Sequence, residues 1–310
     1  MVEAIQTEGL TKVYGPTTAL DDFTMRVPSG IVFGFLGPNG AGKTTTIRLL
    51  LGLVEPTSGD AAVLGYDVRK EPHMIRGLSG ALLEHNGLYE RLSAEDNLEF
   101  YGRVWRMPRS DRRTRIRELM EHMGLWERRG DIVASWSRGM KQKLAISRAL
   151  LHGPELVFMD EPTAGLDPIA AVSLRRDLTS LVKKESVTVF LTTHNLDEAE
   201  KICDEVAVIN RGRLVAKGSV EELRRMKGAD RLIVKGRNIG DDLLSRLRER
   251  EEVSDLYLKD STLVMELRGK PDVSGLVNMI IGSGSRVEEV RRDSASLEEV
   301  FLGLMEDDRC

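Results

Sequence analysis

Cysteine is nearly absent. The 310 residues hold only Cys203 and Cys310, and neither sits in a metal-ligand spacing. This excludes a disulfide scaffold and predicts reduced thiols in a cytoplasmic setting. Long apolar runs are missing too. Nothing approaches the roughly 18 residues that a membrane helix needs, so any membrane spanning falls to other chains. The opening Met1-Val2-Glu3-Ala4-Ile5 does not read as a signal peptide. Histidines are few and scattered: His73, His85, His122, His152 and His194 do not cluster as metal ligands do. With a formal net charge of -4 and 30% charged residues, no basic excess points to nucleic acid. The length suggests about two domains with ample material for a buried core.

What is present centres on Gly37-Pro38-Asn39-Gly40-Ala41-Gly42-Lys43-Thr44, which fits G-x-x-x-x-G-K-[ST]. The apolar run Ile31 to Leu36 before it reads as a buried strand. Ile47, Leu50, Leu51 and Val54 after it fall on one face of a helix. Strand, glycine loop and helix are what phosphate binding needs. Glycines let successive N–H groups converge on phosphate oxygens, and the helix N-terminus adds partial positive charge. Lys43 is then placed to reach the β- and γ-phosphates, and the Thr44 hydroxyl to ligate Mg²⁺.

Around this loop, residues 4–27 alternate as an antiparallel sheet, with Tyr14 ahead of the turn Gly15-Pro16. Tyr14 reads either as a half-buried strand aromatic or as a platform for a stacked base. Gly80 to Leu83 is an apolar strand ending in Glu84, and strand ends are where α/β sheets place ligand groups. Residues 93–153 read as helical, opened by a capping-box-like Ser93 and Asp96. Leu98, Tyr101, Val104 and Trp105 form a stripe read as packed core, and the arginines between 103 and 117 a solvated face. Ser137, Arg138 and Gly139 open another helix and make a second potential anion site.

Leu156 to Met159 is an apolar strand that delivers Asp160 and Glu161 at its end. Consecutive strand side chains point opposite ways, so the two acids are expected to differ in role: Asp160 in the Mg²⁺ shell, Glu161 polarising the attacking water. A solvated strand end is the plainer alternative. Val187 to Thr193 is a further buried strand ending in His194, which can approach the γ-phosphate from the same sheet. Past a charged helix and an expected hinge at Gly228-Ala229-Asp230, the pattern becomes βαββαβ, with strands at 231–236, 254–259, 262–268 and 286–292 and helices at 240–250 and 272–281. That order resembles a ferredoxin-like unit. A last helix starts at Ser296, with Glu299 completing a capping box.

In this order and spacing, the phosphate loop, Asp160-Glu161, Asp167 and His194 resemble the ATP-binding subunit of an ABC transporter over about residues 3–222. The resemblance implies an α/β P-loop NTPase fold with a mixed-sheet core, an antiparallel β subdomain and a helical subdomain at about 87–153. This ATPase domain covers residues 1–225, and a small α+β appendage covers 226–310. It implies that ATP is held by Tyr14 and by Gly37 through Thr45, with Mg²⁺ on Thr44, Glu84 and Asp160. Ser137, Arg138, Gly139 and Met140 become a signature loop that contacts the nucleotide of the opposite subunit. Asp167 marks the dimer contact, and Tyr14 becomes the adenine platform. Two copies then share two ATP molecules head to tail.

Two departures stand out. The commonest signature form is Leu-Ser-Gly-Gly-Gln, whereas this chain reads Trp136-Ser137-Arg138-Gly139-Met140. That variant, the C-terminal unit and Gly87-Leu88-Tyr89-Glu90 are similar to the drug-resistance and type-two exporter branch, which moves drugs, sodium, lipids or polysaccharides. The family usually has glutamine where this chain has Glu84, so a carboxylate joins the Mg²⁺ shell near Glu161. The resulting expectation is an exporter's motor, an ATPase working with a permease at the cytoplasmic face of a membrane, with no nucleic-acid partner. A soluble ATP-switched clamp on ribosomes or nucleic acid is disfavoured by the single phosphate loop and the lack of sustained heptads. An importer motor is disfavoured by the appendage and the signature variant.

Overall fold

A computed structural model of the chain describes residues 2–227, 230–269, 271–293 and 296–307. Gly228 and Ala229 of the expected hinge, and Cys310, lie outside them. The chain divides into two compact units between Gly218 and Ser219.

In the first unit, alternating apolar residues make β1 (Glu3–Tyr14) and β2 (Thr17–Pro28) an antiparallel pair across the turn Gly15-Pro16. Next come β3 (Val32–Leu36), α1 (Lys43–Leu50), β4 (Ser58–Val63), β5 (Tyr66–Asp67), α2 (Pro72–Leu78) and β6 (Ser79–Leu82). The sheet order β2-β1-β4-β5 completes an antiparallel layer. The helical stretch resolves into α3 (Ala94–Val104), α4 (Arg109–His122) and α5 (Arg138–Leu150). Then follow β7 (Leu156–Asp160), α6 (Pro168–Glu185), β8 (Thr188–Thr193), α7 (Leu196–Ile202), β9 (Glu205–Asn210) and β10 (Arg213–Ser219). The turn between β9 and β10 has φ 47° at Arg211 and 81° at Gly212, the two positive values that a tight hairpin turn requires.

The central sheet has the order β10-β9-β3-β8-β7-β6, and β6, β7, β8, β3 and β9 run parallel. Parallel strands are covered on both faces, which is why β3 and β8 are buried along their whole length. Successive residues serve opposite cores. Val157, Met159, Val189 and Leu191 join one with the helices α3 to α6. Phe158, Phe190, Phe33 and Phe35 join the other, under the antiparallel layer and α1. There Phe190 meets Phe33, Phe35 and Phe158 at ring separations of 5.6, 5.3 and 5.7 Å. Because the strands are parallel and in register, their C-terminal ends lie on one edge. Leu36 pairs with Thr193, Asp160 with Thr192 and Leu82 with Met159.

Two expectations for the helical region change. Leu98 is buried, but Trp105 is 39% and Val104 60% exposed, so the stripe leaves the core at the end of α3. The arginine cluster is not wholly solvated. Arg112 is buried and forms a two-point pair with Glu99 at 2.7 Å for each contact, and Arg115 pairs with both Glu185 oxygens at 2.8 Å. Gly102 makes room for this: a Cβ there would stand 2.2 Å from Arg112 Cδ.

The second unit runs α8 (Val220–Lys227), β11 (Asp230–Arg237), α9 (Asp241–Arg248), β12 (Val253–Lys259), β13 (Thr262–Leu267), α10 (Val273–Gly282), β14 (Arg286–Asp293) and α11 (Leu297–Asp307). Its sheet, ordered β12-β13-β11-β14, is antiparallel throughout. Leu232, Val234, Leu263 and Met265 pack on Leu247, Leu276 and Ile280. The division falls ahead of the expected residue 225 because α8 packs against α11, within this unit. Ser296 and Glu299 exchange capping hydrogen bonds at the start of α11, at 2.9 and 3.2 Å. Among the described residues no helix is long and apolar enough to cross a membrane.

Candidate functional site

The loop between β3 and α1 depends on glycine at particular places. A Cβ on Gly37 would lie 2.5 Å from the Ile209 carbonyl oxygen, and one on Gly42 equally close to that of Ala19. Gly42 also holds φ 111°, closed to other residues. Lys43 opens α1 with only 7% of its side chain exposed. Its Nζ donates to the carbonyls of Gly37 at 2.7 Å and Pro38 at 3.2 Å, and lies 3.6 Å from Glu161 Oε1. The ammonium is thus curled over its own loop, with its donors on oxygens that a ligand can replace.

Opposite stand the acids at the end of β7. Asp160 accepts from the Thr44 hydroxyl at 2.9 Å on one oxygen and from the Thr192 hydroxyl on the other. Glu161 takes φ 50° directly before Pro162, a backbone state disfavoured for a non-glycine residue and more so before proline. Its amide offsets this by donating to both the carbonyl and the hydroxyl of Thr192, each at 3.1 Å. The Glu161 carboxylate bridges Lys43 on Oε1 and His194 Nδ1 on Oε2, the latter at 2.5 Å. A proton on Nδ1 is what this contact requires, which leaves Nε2 as the other working atom of His194. Strand register thus brings Lys43, Thr44, Asp160, Glu161 and His194 together from three separate stretches of chain.

A cavity of about 720 Å³ opens over them. Asn39, Gly40, Gly42, Lys43, Thr44 and Thr45 form its floor, and Glu84, two residues past β6, joins Asp160 and Glu161 on the wall. Among the described residues no cluster of three or more His, Cys, Asp or Glu could hold a metal alone. The local donors are hard oxygens: the Thr44 hydroxyl and the Asp160 and Glu84 carboxylates. That set suits Mg²⁺, which takes one or two carboxylates and completes its shell with phosphate oxygens and water.

Other expected site residues are set further apart. Ser137 caps α5 by accepting from the Met140 amide at 3.3 Å, while Gly139 backs onto Ala170, where a Cβ would stand 3.2 Å from that of Ala170. Arg138 alone of these four lines the cavity. Asp167 caps α6, accepting from the Ala170 amide at 2.9 Å. Tyr14 is exposed at the end of β1 and off the cavity wall, with Lys12 Nζ 4.9 Å from its ring centre; Thr17 and Thr18, across the turn, line the wall.

Sequence reasoning passed over Thr192 and Gln142. Thr192 contacts both acids, and only the pairing register of β7 with β8 would have pointed to it. Gln142 Nε2 donates to the Pro162 carbonyl at 2.7 Å, tying α5 to the loop that carries Glu161.

A family model described as ABC transporter matches residues 20–164. Over 310 residues, 99% of this chain and 97% of its relative, the sequence is 36% identical to the daunorubicin resistance ATP-binding protein DrrA3 of Streptomyces coeruleorubidus. It is 40% identical over 225 residues, 73% of this chain and 72% of the other, to the bacitracin transport ATP-binding protein BcrA of Bacillus licheniformis. Among solved structures, one described as the ATP binding subunit of an ABC transporter aligns with a TM-score of 0.64 and 32% identity, covering 72% of this chain and 92% of that one.

Proposed function

The chain belongs to the family of ABC transporter ATP-binding proteins, and from that premise we propose that it is the ATP-hydrolysing motor subunit of an exporter in the drug-resistance branch. The observation that carries this is the joining of Lys43, Asp160, Glu161 and His194 at one edge of a parallel sheet, under a cavity large enough for a nucleotide.

Phosphoryl transfer asks for positioning and charge neutralisation. Lys43 exchanges its loop carbonyls for phosphate oxygens, and the amides from Gly37 to Thr45 cradle them. Glu161 takes the proton of the attacking water, so that the water oxygen bonds to the γ-phosphorus as ADP leaves. His194, its Nδ1–H committed to Glu161, presents Nε2 to the γ-phosphate. Thr44, Asp160 and Glu84 hold Mg²⁺, which when bound neutralises phosphate charge. Ser137, Gly139 and Met140 meet the nucleotide of a second copy, with Asp167 at the contact between copies, and Tyr14 stacks on adenine. The chain works on the cytoplasmic face, bound to a separate transmembrane subunit. Exposed Tyr89, Phe100 and Trp105 offer that partner an aromatic surface beside Arg148, a largely buried cation whose Nε lacks a hydrogen-bond partner among the described residues.

Two substitutions test the reading. Lys43→Ala is expected to abolish ATP binding in calorimetry. Glu161→Gln is expected to bind ATP, to accumulate as a dimer in size-exclusion chromatography and to hydrolyse about 10²–10⁴ times more slowly. Parental turnover in Glu161→Gln would remove the assignment of the base. Purification from native membranes is expected to bring down a multi-span protein.

A further inference from the structure

Glu198, in the first turn of α7, is an acid with no part in the chemistry above, and it is fully buried. Its amide donates to Asn195 Oδ1 at 3.0 Å. Its Oε2 accepts from the Thr163 hydroxyl at 2.6 Å and from the Thr193 hydroxyl at 3.3 Å. Its Oε1 has no hydrogen-bond partner among the described residues. Burying a carboxylate with one oxygen unpaired costs free energy. What Glu198 contributes therefore lies in the segments it joins.

Each of those segments carries a working group. Thr163 stands two residues past Glu161, in a turn where the Ala164 amide donates to the Glu161 carbonyl at 3.1 Å. Thr193 directly precedes His194, and its hydroxyl also accepts from the Asn195 amide at 3.0 Å. The contacts close a ring. It runs along the chain from Glu161 to Thr163, by hydrogen bond to Glu198, back along the chain to His194, and from His194 Nδ1 to Glu161 Oε2 at 2.5 Å. Glu161 holds φ 50° ahead of Pro162, a strained state that persists only where neighbouring contacts enforce it. Gln142 holds this turn from α5, through the Pro162 carbonyl. Glu198 holds it from α7.

We propose that Glu198 is a positioning residue for hydrolysis: through Thr163 it fixes the turn that carries Glu161, and through Thr193 the strand end that carries His194, so that base and histidine meet. This rests on the nucleotide reading above, and it requires no contact between Glu198 and the nucleotide.

The test measures kcat, KM, calorimetric Mg²⁺-ATP affinity and thermal melting on the full-length chain. Thr163→Val keeps the side-chain shape and deletes the hydroxyl. A misplacement of about 1 Å can cost about a hundred-fold in rate, so kcat is expected to fall about ten- to a hundred-fold with ATP affinity unchanged. Thr163→Ser restores the hydroxyl and is expected to recover most of the rate. Glu198→Gln still offers an oxygen to both hydroxyls and is expected to keep activity that Glu198→Leu loses. In the Glu161→Gln background, single-turnover hydrolysis is expected to drop little further on adding Thr163→Val, because the group being positioned is already gone. Parental kcat in Thr163→Val, a loss that follows ATP affinity, no recovery in Thr163→Ser, or a full additional loss in the Glu161→Gln background would overturn the proposal. Failure of the nucleotide reading is seen separately, as parental protein that does not hydrolyse ATP or does so equally well as Glu161→Gln.

Discussion

Glu84 shows what a single residue decides. It shares the wall with Asp160 and Glu161, so this site carries three carboxylates where the family's usual form has two and an amide. Glu84→Gln removes a negative charge and keeps an oxygen donor. ATPase activity is therefore expected to persist, with its Mg²⁺ dependence displaced; titrating the mutant with Mg²⁺ checks this, and complete loss of hydrolysis would contradict it. Thr192 is a stricter case. Thr192→Val keeps the β-branched shape but deletes the hydroxyl that binds Asp160 and the Glu161 amide. It is expected to cost about 1–3 kcal/mol of stability and to lower kcat more than it raises KM, read by thermal melting and steady-state kinetics. Lys43, Asp160, Glu161 and His194 were legible because each closes a recognisable strand or loop. Thr192 and the Gln142 bond to Pro162 were not, because they depend on which strands pair and which side chain meets which turn.

At the scale of elements, strands were easier to read than helices. The βαββαβ pattern of the second unit follows from alternation alone, since one face of its sheet is buried by α9 and α10. The stretch 93–153 hid its organisation, because a run of arginines carries no sign of which one turns inward. Arg112 does, over Gly102, and its guanidinium holds the Glu99 carboxyl down to about 2 despite the opposing cost of burial. Just past α5, burial pushes His152 down to about 4; its Nε2 meets the Ser79 carbonyl at 3.2 Å and its ring stacks on Trp105 at 3.9 Å. Both shifts make the helical region acid-sensitive. Between about pH 6.5 and 4 the unfolded chain binds a proton at residue 152 that the folded chain refuses, so stability falls as pH falls. Glu99 is ionised in the fold down to about 2 but only to about 4.5 when unfolded, so its contribution is lost across that lower window. Denaturant midpoints measured from pH 7.5 to 4.5 are expected to decline, and less steeply in His152→Gln. An unchanged slope in that mutant would move the cause elsewhere.

For the whole molecule, the distribution of cores matters more than the number of elements. The two cores of the first unit draw on residues up to Leu214, whereas the third draws only on residues from Leu232 onward. Among the described residues each of these three cores draws on one unit, and every residue assigned to the phosphate site lies in the first. Such a chain is expected to melt in two calorimetric transitions. A ligand that binds only folded protein raises the stability of the unit it binds, by about 2.7 kcal/mol at a concentration of one hundred times Kd. Mg²⁺-ADP should therefore raise one transition and leave the other in place, Lys43→Ala should abolish that response, and a chain ending at Gly218 should keep only the responsive transition. If instead both transitions moved together with nucleotide, the second unit would be energetically coupled to the site, and the appendage would be part of the nucleotide response rather than a separately folded body beside it.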